Sequence, residues 1–431
     1  MSALRPGVAG MMIDHLQLNT TMLQVESMTL ALEGMFDKVE QESSKLNAII
    51  TAMSAPGLNG SVALEAADLI YLEGLGIPSA SLSLEGLRDQ VKVVWKNIIK
   101  HIIDGMKKVK AWAKKIATAV PQLKKLVDKV SKMQHSYHYS DTVTLKEELA
   151  YLSNGNTSRE QILKDLENTQ LIVRDCFEID FPSVVSAAET TVQVVDRIPD
   201  AFNGSLEDIN EPRYGEAKEI IKQLMTLSRV DVEIGEGKPP IGIWSESVNV
   251  KGITTERHLT FAPRYGNVLG GRLPLYRYPR FNSEGHKAML KHLPTIVNYS
   301  KIGTKHLSSS QVDVYSRTIN TSNQEVEVKP LSENQIKDVC RTCYGIIESF
   351  ELYYDQIDDL EKIKERLIKS GNKAVSIITD DGDDVKQSTS EFVRNVVRFQ
   401  AMRLDKPYVS LMGHGVRSMY ALMSYAQKSL G

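Results

Sequence analysis

The sequence has no apolar run that approaches the roughly 20 residues of a membrane-spanning helix. Its three cysteines, Cys176, Cys340 and Cys343, cannot form a disulfide framework and are typical of a reducing cytosol. The first residues lack a basic segment followed by an apolar stretch, so no secretory signal is expected. What is present is a chain of 431 residues, 42% hydrophobic and 25% charged, which indicates a folded globular protein with room for more than one domain.

Motifs for metal, phosphate or nucleophile chemistry are also missing. Cys340 and Cys343 form a CxxC pair, but the apolar residues around them predict a helix face, and a zinc site needs four ligands. The aspartates of DDGDD (380–384) lack the twelve-residue spacing of a calcium loop and predict a solvated turn. His135 and His138 are expected in a solvated linker, and no phosphate loop or GxSxG occurs. We therefore predict no metal site, no cofactor and no enzymatic activity.

Charge is distributed unevenly along the chain. Residues 1–85 hold three basic and ten acidic residues, a net charge of −7, which leaves +5 on residues 86–431. The acidic segment shows a helical pattern from Met28 to Met53, but no sustained core-like pattern. A tripeptide ending in glutamate recurs in it, as Ala31-Leu32-Glu33, Ala63-Leu64-Glu65, Tyr71-Leu72-Glu73 and Ser83-Leu84-Glu85. Chance recurrence of the helix formers Leu and Glu is the alternative explanation.

After Glu85 the sequence predicts a basic amphipathic helix. Its apolar residues recur at spacings of three and four and form one stripe: Val91, Trp95, Ile98, Ile102, Met106, Val109, Trp112 and Ile116. Residues 91–132 contain twelve lysines against two aspartates. Eight of these lysines are our candidates for contact with DNA: Lys92, Lys96, Lys100, Lys107, Lys108, Lys110, Lys114 and Lys115. Pro121 is expected to interrupt or end the helix.

Three interpretations of this helix compete. In the first interpretation, its apolar stripe packs into the protein's own core and its lysines form a solvated face. In the second, the lysines contact DNA phosphates without sequence preference. The first two are compatible with each other. In the third interpretation the helix lies on a membrane, because tryptophan with lysine is an interfacial composition.

The remaining sequence predicts an α+β, mainly α-helical fold with four segments: 1–85, 86–228, 229–330 and 331–431. The second segment contains the basic helix and a further helical region. In that region, Thr157 and Glu160 fit a capping box that begins a helix ending at about Val173. Two more helices are expected at Val184–Val195 and Glu216–Thr226. The third is a small β-rich subdomain with a helix near Ser283–Leu293. The fourth is a C-terminal helical bundle, with helices at Glu333–Lys369, Ser388–Arg403 and Tyr408–Leu430 and a bend at Asp405–Pro407.

Three stretches resemble the internal head (virion structural) proteins of large myovirus-type tailed bacteriophages. They are Ser83-Leu84-Glu85 followed by the Trp- and Lys-rich helix, the turn at 269–273 leading into LPLYRYP, and the C-terminal residues 392–431. In that family the C-terminus is a helix, a short bend with proline, and a long helix. The positions that match are Asp405, Pro407, Tyr408, Tyr420, Tyr425, Ser429 and Leu430. The similarity covers about 85–431 and is patchy between 135 and 225.

The resemblance implies a structural protein without enzymatic activity or cofactor, assembled in the host cytoplasm and located inside the capsid of the virion. Its implied partners are the packaged DNA, other inner-capsid proteins and a prohead protease that removes an acidic N-terminal propeptide by cutting after a small-x-Glu tripeptide. Glu85 is the leading candidate, with Gly86 as the new N-terminus, and Glu65 and Glu33 are candidates for earlier cuts. We hypothesise that the acidic segment masks the lysine face before the cut.

A different class of function remains open. In this alternative, the chain is a host-directed effector that is ejected with the DNA and acts on a membrane or a host enzyme through the Trp/Lys-rich helix. A hydrolase ranks last, and stable insertion into a membrane is not expected.

Overall fold

The structure is a computed structural model that describes residues 6–53, 84–133, 141–152, 157–202, 213–228, 244–250, 253–259, 268–277, 300, 303–304, 307, 311–316, 325–378 and 384–430. These residues form mainly α-helices with two small antiparallel sheets, so the predicted fold class, mainly α-helical α+β, is confirmed. The helix expected near Ser283–Leu293, the histidines of 135–139 and the aspartates 380–383 lie outside the described residues.

The α-helices are α1 (Pro6–Met53), α2 (Leu84–Ser131), α3 (Leu149–Leu152), α4 (Arg159–Arg174), α5 (Phe181–Asp196), α6 (Ile198–Phe202), α7 (Arg213–Leu227), α8 (Glu333–Tyr354), α9 (Ile357–Ile378), α10 (Asp384–Arg403) and α11 (Lys406–Leu430). A π-helical turn, Asp175–Asp180, joins α4 to α5. The extra residue of a π turn shifts the helix register. Cys176 and Phe177 therefore face the core together with Asp180 and Phe181, while Ile179 is 62% exposed.

Two sheets accompany the helices. The first pairs β1 (Val143–Leu145) with β6 (Val326–Val328), and the second contains β2 (Trp244–Val250), β3 (Ile253–Leu259), β4 (Arg272–Arg277) and β5 (Gln311–Ser316) in that order, all antiparallel. The predicted β-rich segment therefore contains a four-stranded sheet, but its last strand pairs with β1, far away in the sequence. Just before β4, Gly270 adopts φ +63°, which a side chain would strain. A Cβ there would also lie 2.2 Å from Nε2 of His414 on α11.

The N-terminal helix is longer than predicted and belongs to the core. The expectation of a helix from Met28 and of no sustained core-like pattern is wrong for residues 6–53, because α1 buries one face along most of its length. The buried apolar residues of that face include Leu18, Met22, Val25, Leu32, Phe36, Val39, Leu46 and Ile49. Polar Thr29 and Ser43 are buried as well, while Leu23 and Leu30 are about half exposed. Because polar residues lie on the buried face and apolar residues on the exposed face, the helical period of the apolar residues is not visible in the sequence.

α1 and α2 pack side by side in antiparallel orientation. Trp112 Nε1 of α2 donates to Thr29 Oγ1 of α1 at 2.9 Å, whereas Asn97 Nδ2 lies 3.4 Å from Glu42 Oε2, so rising numbers on α1 meet falling numbers on α2. α2 also packs against α8, α9 and α11. The long amphipathic helix is therefore covered on its apolar side by both ends of the chain.

Three predicted boundaries need correction. α2 continues through Pro121, because this residue lies on the exposed side, where water can satisfy the carbonyl that loses its amide partner. The cap of α4 is Ser158, whose Oγ accepts from the amide of Gln161, rather than Thr157. The single helix predicted over Glu333–Lys369 is two helices, because the chain turns at Asp355–Gln356. The bend before Pro407 lies between α10 and α11, as predicted.

Candidate nucleic-acid interface

The apolar stripe of α2 lies inside the protein. All eight predicted stripe residues are buried, with Trp95 at 7% and Trp112 at 0% exposure. Both indole N–H groups have partners, since Trp95 Nε1 donates to Asn372 Oδ1 on α9 at 2.9 Å and Trp112 Nε1 to Thr29 on α1. Tryptophan in a membrane interface must face lipid. The burial of both residues contradicts the membrane interpretation of this helix, and no helix in the described ranges is long and apolar enough to cross a bilayer.

The opposite side of α2 carries the lysines. Seven of the eight candidate lysines are exposed: Lys92, Lys96, Lys100, Lys107, Lys108, Lys114 and Lys115. We call these seven residues the lysine face. Lys100, Lys107 and Lys114 follow one another at seven-residue intervals, which places them about 10.5 Å apart along the helix axis. The lysine face is thus a row of cations on a rigid support.

Lys110 is the exception among the eight. Its ammonium lies 2.9 Å from Asp358 Oδ1 and 2.8 Å from Glu361 Oε2, both on α9. The hydrogen bond to Glu361, followed by that to Asp358, raises the pKa of Lys110 above its usual range. This lysine joins α2 to α9 and is a poor candidate for contact with DNA.

Among the described residues, few partners contact the lysine face. Lys92 pairs with Asp89 at 3.2 Å on the same helix, and Lys115 donates to Gln24 Oε1 on α1 at 3.1 Å. The other five, Lys96, Lys100, Lys107, Lys108 and Lys114, form no ion pair with any residue of the described ranges. An exposed cation that is not engaged within the fold can exchange its counterions for phosphates at little structural cost.

Three acidic residues of α1 pair with cations of the C-terminal helices. Glu26 Oε2 lies 3.3 Å from Arg417 Nε, and Glu40 Oε2 lies 2.6 Å from Arg398 Nη1. Asp37 pairs with Lys406 at 3.4 Å. These three carboxylates therefore compensate cations of α10 and α11, and the hypothesis that the acidic segment as a whole masks the lysine face stays a prediction. The acidic residues of 54–83, including Glu65, lie outside the described part of the chain.

The candidate cleavage sites have different surroundings. Glu33 is half-buried in the middle of α1, next to Leu32 at 1% exposure, so a protease could reach it only after α1 opened. Leu84, Glu85 and Gly86 are the first residues of α2, directly before Leu87, which is fully buried. Ser83 and Glu65 lie outside the described residues.

The cysteines are free thiols inside the fold. Cys340 and Cys343 lie on the buried face of α8, as their apolar neighbours indicated. Burial raises the pKa of Cys340 to about 11 and that of Cys343 well above its usual range. Both thiols are therefore protonated at neutral pH, which is the opposite of a redox-active pair. The described residues contain no cluster of three or more side chains that would hold a metal ion.

Sequence reasoning missed a set of buried ion pairs. Lys364 Nζ lies 2.6 Å from Asp405 Oδ2, both side chains are at most 5% exposed, and Tyr353 donates to the other oxygen of Asp405 at 2.9 Å. Asp180 lies 3.9 Å from Arg403 and accepts from Tyr408 at 3.1 Å. These groups surround a cluster of aromatic rings whose members include Tyr353, Tyr408, Phe177 and Phe181. The bend between α10 and α11 is fixed by these contacts to Asp405.

Comparison with known proteins gives no further identification. No protein family, no characterised protein and no solved structure matches the chain.

Proposed function

We propose that the chain is a non-catalytic internal head protein of a large tailed bacteriophage that lies against the packaged genome through the lysine face. The observation that carries the proposal is the arrangement of α2, whose apolar side is buried while seven lysines face solvent. The resemblance of the C-terminal residues 392–431 to such proteins supports it independently of the charge. The site is the virion interior, reached from the host cytoplasm during assembly.

The geometry suits a long polyanion. From Lys92 to Lys115 the lysine face extends over about 35 Å, at 1.5 Å per residue. Duplex DNA carries one charge per about 1.7 Å of its axis, so several phosphates lie within reach of this row at once. Lysine is a flexible point charge without the planar geometry that reads a base edge. The proposed contact is therefore electrostatic and independent of sequence.

The ejected-effector alternative has less support. It required the Trp/Lys-rich helix to act on a membrane or a host enzyme, and an action on a membrane would need the apolar side of this helix. That side is occupied by α1, α8, α9 and α11. An effector role would need another surface.

Processing by a prohead protease remains part of the proposal, in a modified form. A cut after Glu85 separates α1 from α2 covalently, but the buried face of α1 and its ion pairs with α10 and α11 hold it in place. We therefore propose that cleavage leaves Gly86 as a new N-terminus and residues 6–53 bound to the body. Other inner-capsid proteins are the remaining proposed partners.

Mass spectrometry of purified virions tests the proposal. We expect semi-specific peptides that begin at Gly86, together with peptides from residues 6–53 in equal molar amount. Gly86 termini without α1 peptides would show that the segment is removed and that the body packs without it. An uncut chain in the virion would eliminate the processing step, and absence from the virion would overturn the proposed function.

A further inference from the structure

A second surface formed by the described residues has the opposite charge to the lysine face. It is a groove of about 580 Å³ between α4 with its π turn and α8. Leu171 and Leu352 form its aliphatic walls, and Glu178 and Glu348 are exposed at its edges. Gly345 lines the groove where the two helices approach each other, since a Cβ at this residue would lie 3.3 Å from Gln170 Nε2. We call this surface the α4–α8 groove.

Large apolar side chains remain in water here. Leu352 is 41% exposed, and Ile179, which follows Glu178 on the π turn, is 62% exposed. The π turn exposes Ile179, because the residues on both sides of Glu178 and Ile179 are held in the core. Exposed aliphatic groups next to a concave surface are typical of an interaction site.

The α4–α8 groove also has unsatisfied negative charge. Glu178 accepts a hydrogen bond from Ser349 at 3.1 Å, but neither Glu178 nor Glu348 has an ion-pair partner among the residues that the structure covers. Arg174, which also lines the groove, bonds to Asp175 at 3.1 Å, and Lys124 close by bonds to Glu351 at 2.7 Å, so the two glutamates leave the groove a net negative charge. A ligand for this groove must bring an aliphatic group and positive charge.

One surface of the same chain has this composition. Ile103 on α2 is 37% exposed and lies between Lys100 and Lys107, three residues after the first and four before the second. This spacing places all three on one side of the helix. We call them the α2 ridge. It cannot reach the groove of its own copy, because α2 meets α8 at Lys124, about 31 Å further along the helix axis.

We propose that the α2 ridge of one copy docks in the α4–α8 groove of a second copy. Ile103 packs between Leu171 and Leu352 of the neighbour, and Lys100 and Lys107 pair with the neighbour's glutamates. Because the same two lysines belong to the lysine face, docking and DNA compete for them, and a docked copy contacts DNA only through the remaining lysines. The two surfaces are different, so the contact is head-to-tail and each copy can bind a further copy at either side. A helix in a groove of this size is a small interface, and the association is weak and concentration-dependent.

Sedimentation velocity of the full chain at low ionic strength tests this. The weight-average mass of the parent should rise with concentration up to about 100 μM, the range of a weak contact. The ridge variant Lys100→Glu/Lys107→Glu and the groove variant Glu178→Lys/Glu348→Lys should each stay at monomer mass. An equal mixture of the two variants should associate again. The acidic ridge of the first variant then meets the basic groove of the second, and the native ridge of the second meets the native groove of the first. A monomeric parent, variants that associate like the parent, or a mixture that stays monomeric would each overturn the proposal.

Zero-length carbodiimide cross-linking of an equal mixture of ¹⁵N-labelled and unlabelled parent gives a readout that does not depend on substitution. We expect a mixed-isotope cross-link between Lys100 or Lys107 and Glu178 or Glu348. Cross-links between copies that exclude all four residues would place the contact elsewhere and refute the inference.

Discussion

Replacing Lys100, Lys107 and Lys114 by glutamine should weaken duplex-DNA binding in proportion to the number of phosphates that these lysines neutralise. All three are exposed and have no ion-pair partner in the described residues. Glutamine has nearly the helix propensity of lysine, so α2 should be retained. Each neutralised phosphate contributes about 0.9 to the slope of log affinity against log salt concentration, so removing three lysines should reduce the slope by about 2.7.

This change of slope has a measurable size. The ratio of parent to variant affinity should grow about 40-fold when the salt concentration falls from about 200 to about 50 mM. This ratio changes as the fourfold change in salt concentration to the power of the slope difference, about 2.7. Fluorescence anisotropy of a labelled duplex over this range gives both slopes directly. Two duplexes of unrelated sequence should give the same result, since lysine contacts to phosphate do not read bases.

The matched control is Lys146→Gln/Lys222→Gln/Lys337→Gln, which removes the same charge at other positions. Each of these lysines is partly exposed and pairs with one nearby carboxylate, so the cost to stability should be small. The control should bind DNA with the slope of the parent. Equal slopes for the parent and the α2 variant, or equally weakened binding in both variants, would refute the assignment of the DNA contact to the lysine face.

Three further outcomes follow from the packing. Deletion of residues 1–85 should abolish cooperative thermal unfolding in circular dichroism, because α1 supplies part of the core; a deletion variant that melts like the parent would contradict this. Asp405→Ala should lower the free energy of unfolding in urea by about 3–5 kcal/mol, because it leaves the ammonium of Lys364 buried without its carboxylate. Asp338→Ala in an exposed pair should change it by less than about 1 kcal/mol, and equal effects of the two substitutions would exclude a special role for the buried pair. The three cysteines should react with a disulfide reagent at about pH 8 only as fast as the protein unfolds, because all three thiols are buried and burial also raises their pKa; a fast phase in the native protein would show an accessible thiol.

The basic helix was predictable because its period is undisturbed. Every apolar position of the stripe is buried and almost every lysine lies opposite, so spacing alone assigned both sides. The ion pairs of Lys110 could not be predicted from this spacing, because its partners Asp358 and Glu361 are about 250 residues away in the sequence. Nothing local distinguishes it from Lys107 or Lys114.

The buried ion pairs could not be predicted from the sequence. Residue type alone assigns lysine, arginine and glutamate to the surface. Arg398 and its partner Glu40 are both buried, and they join two helices from opposite ends of the chain. The acidic N-terminal segment therefore resembled a solvated appendage in the sequence, whereas its helix α1 supplies carboxylates to the interior.

The antiparallel pairing of α1 and α2 has a consequence for engineering. The last residue of α1, Met53, and the first of α2, Leu84, belong to the same end of the pair. A connection between these two residues therefore does not have to span the length of the helices, and for a flexible connection each doubling of length costs only about 0.6 kcal/mol of loop-closure entropy. A fluorescent domain inserted between these helices would mark the position of the protein in a particle and leave the lysine face and the α4–α8 groove unaltered.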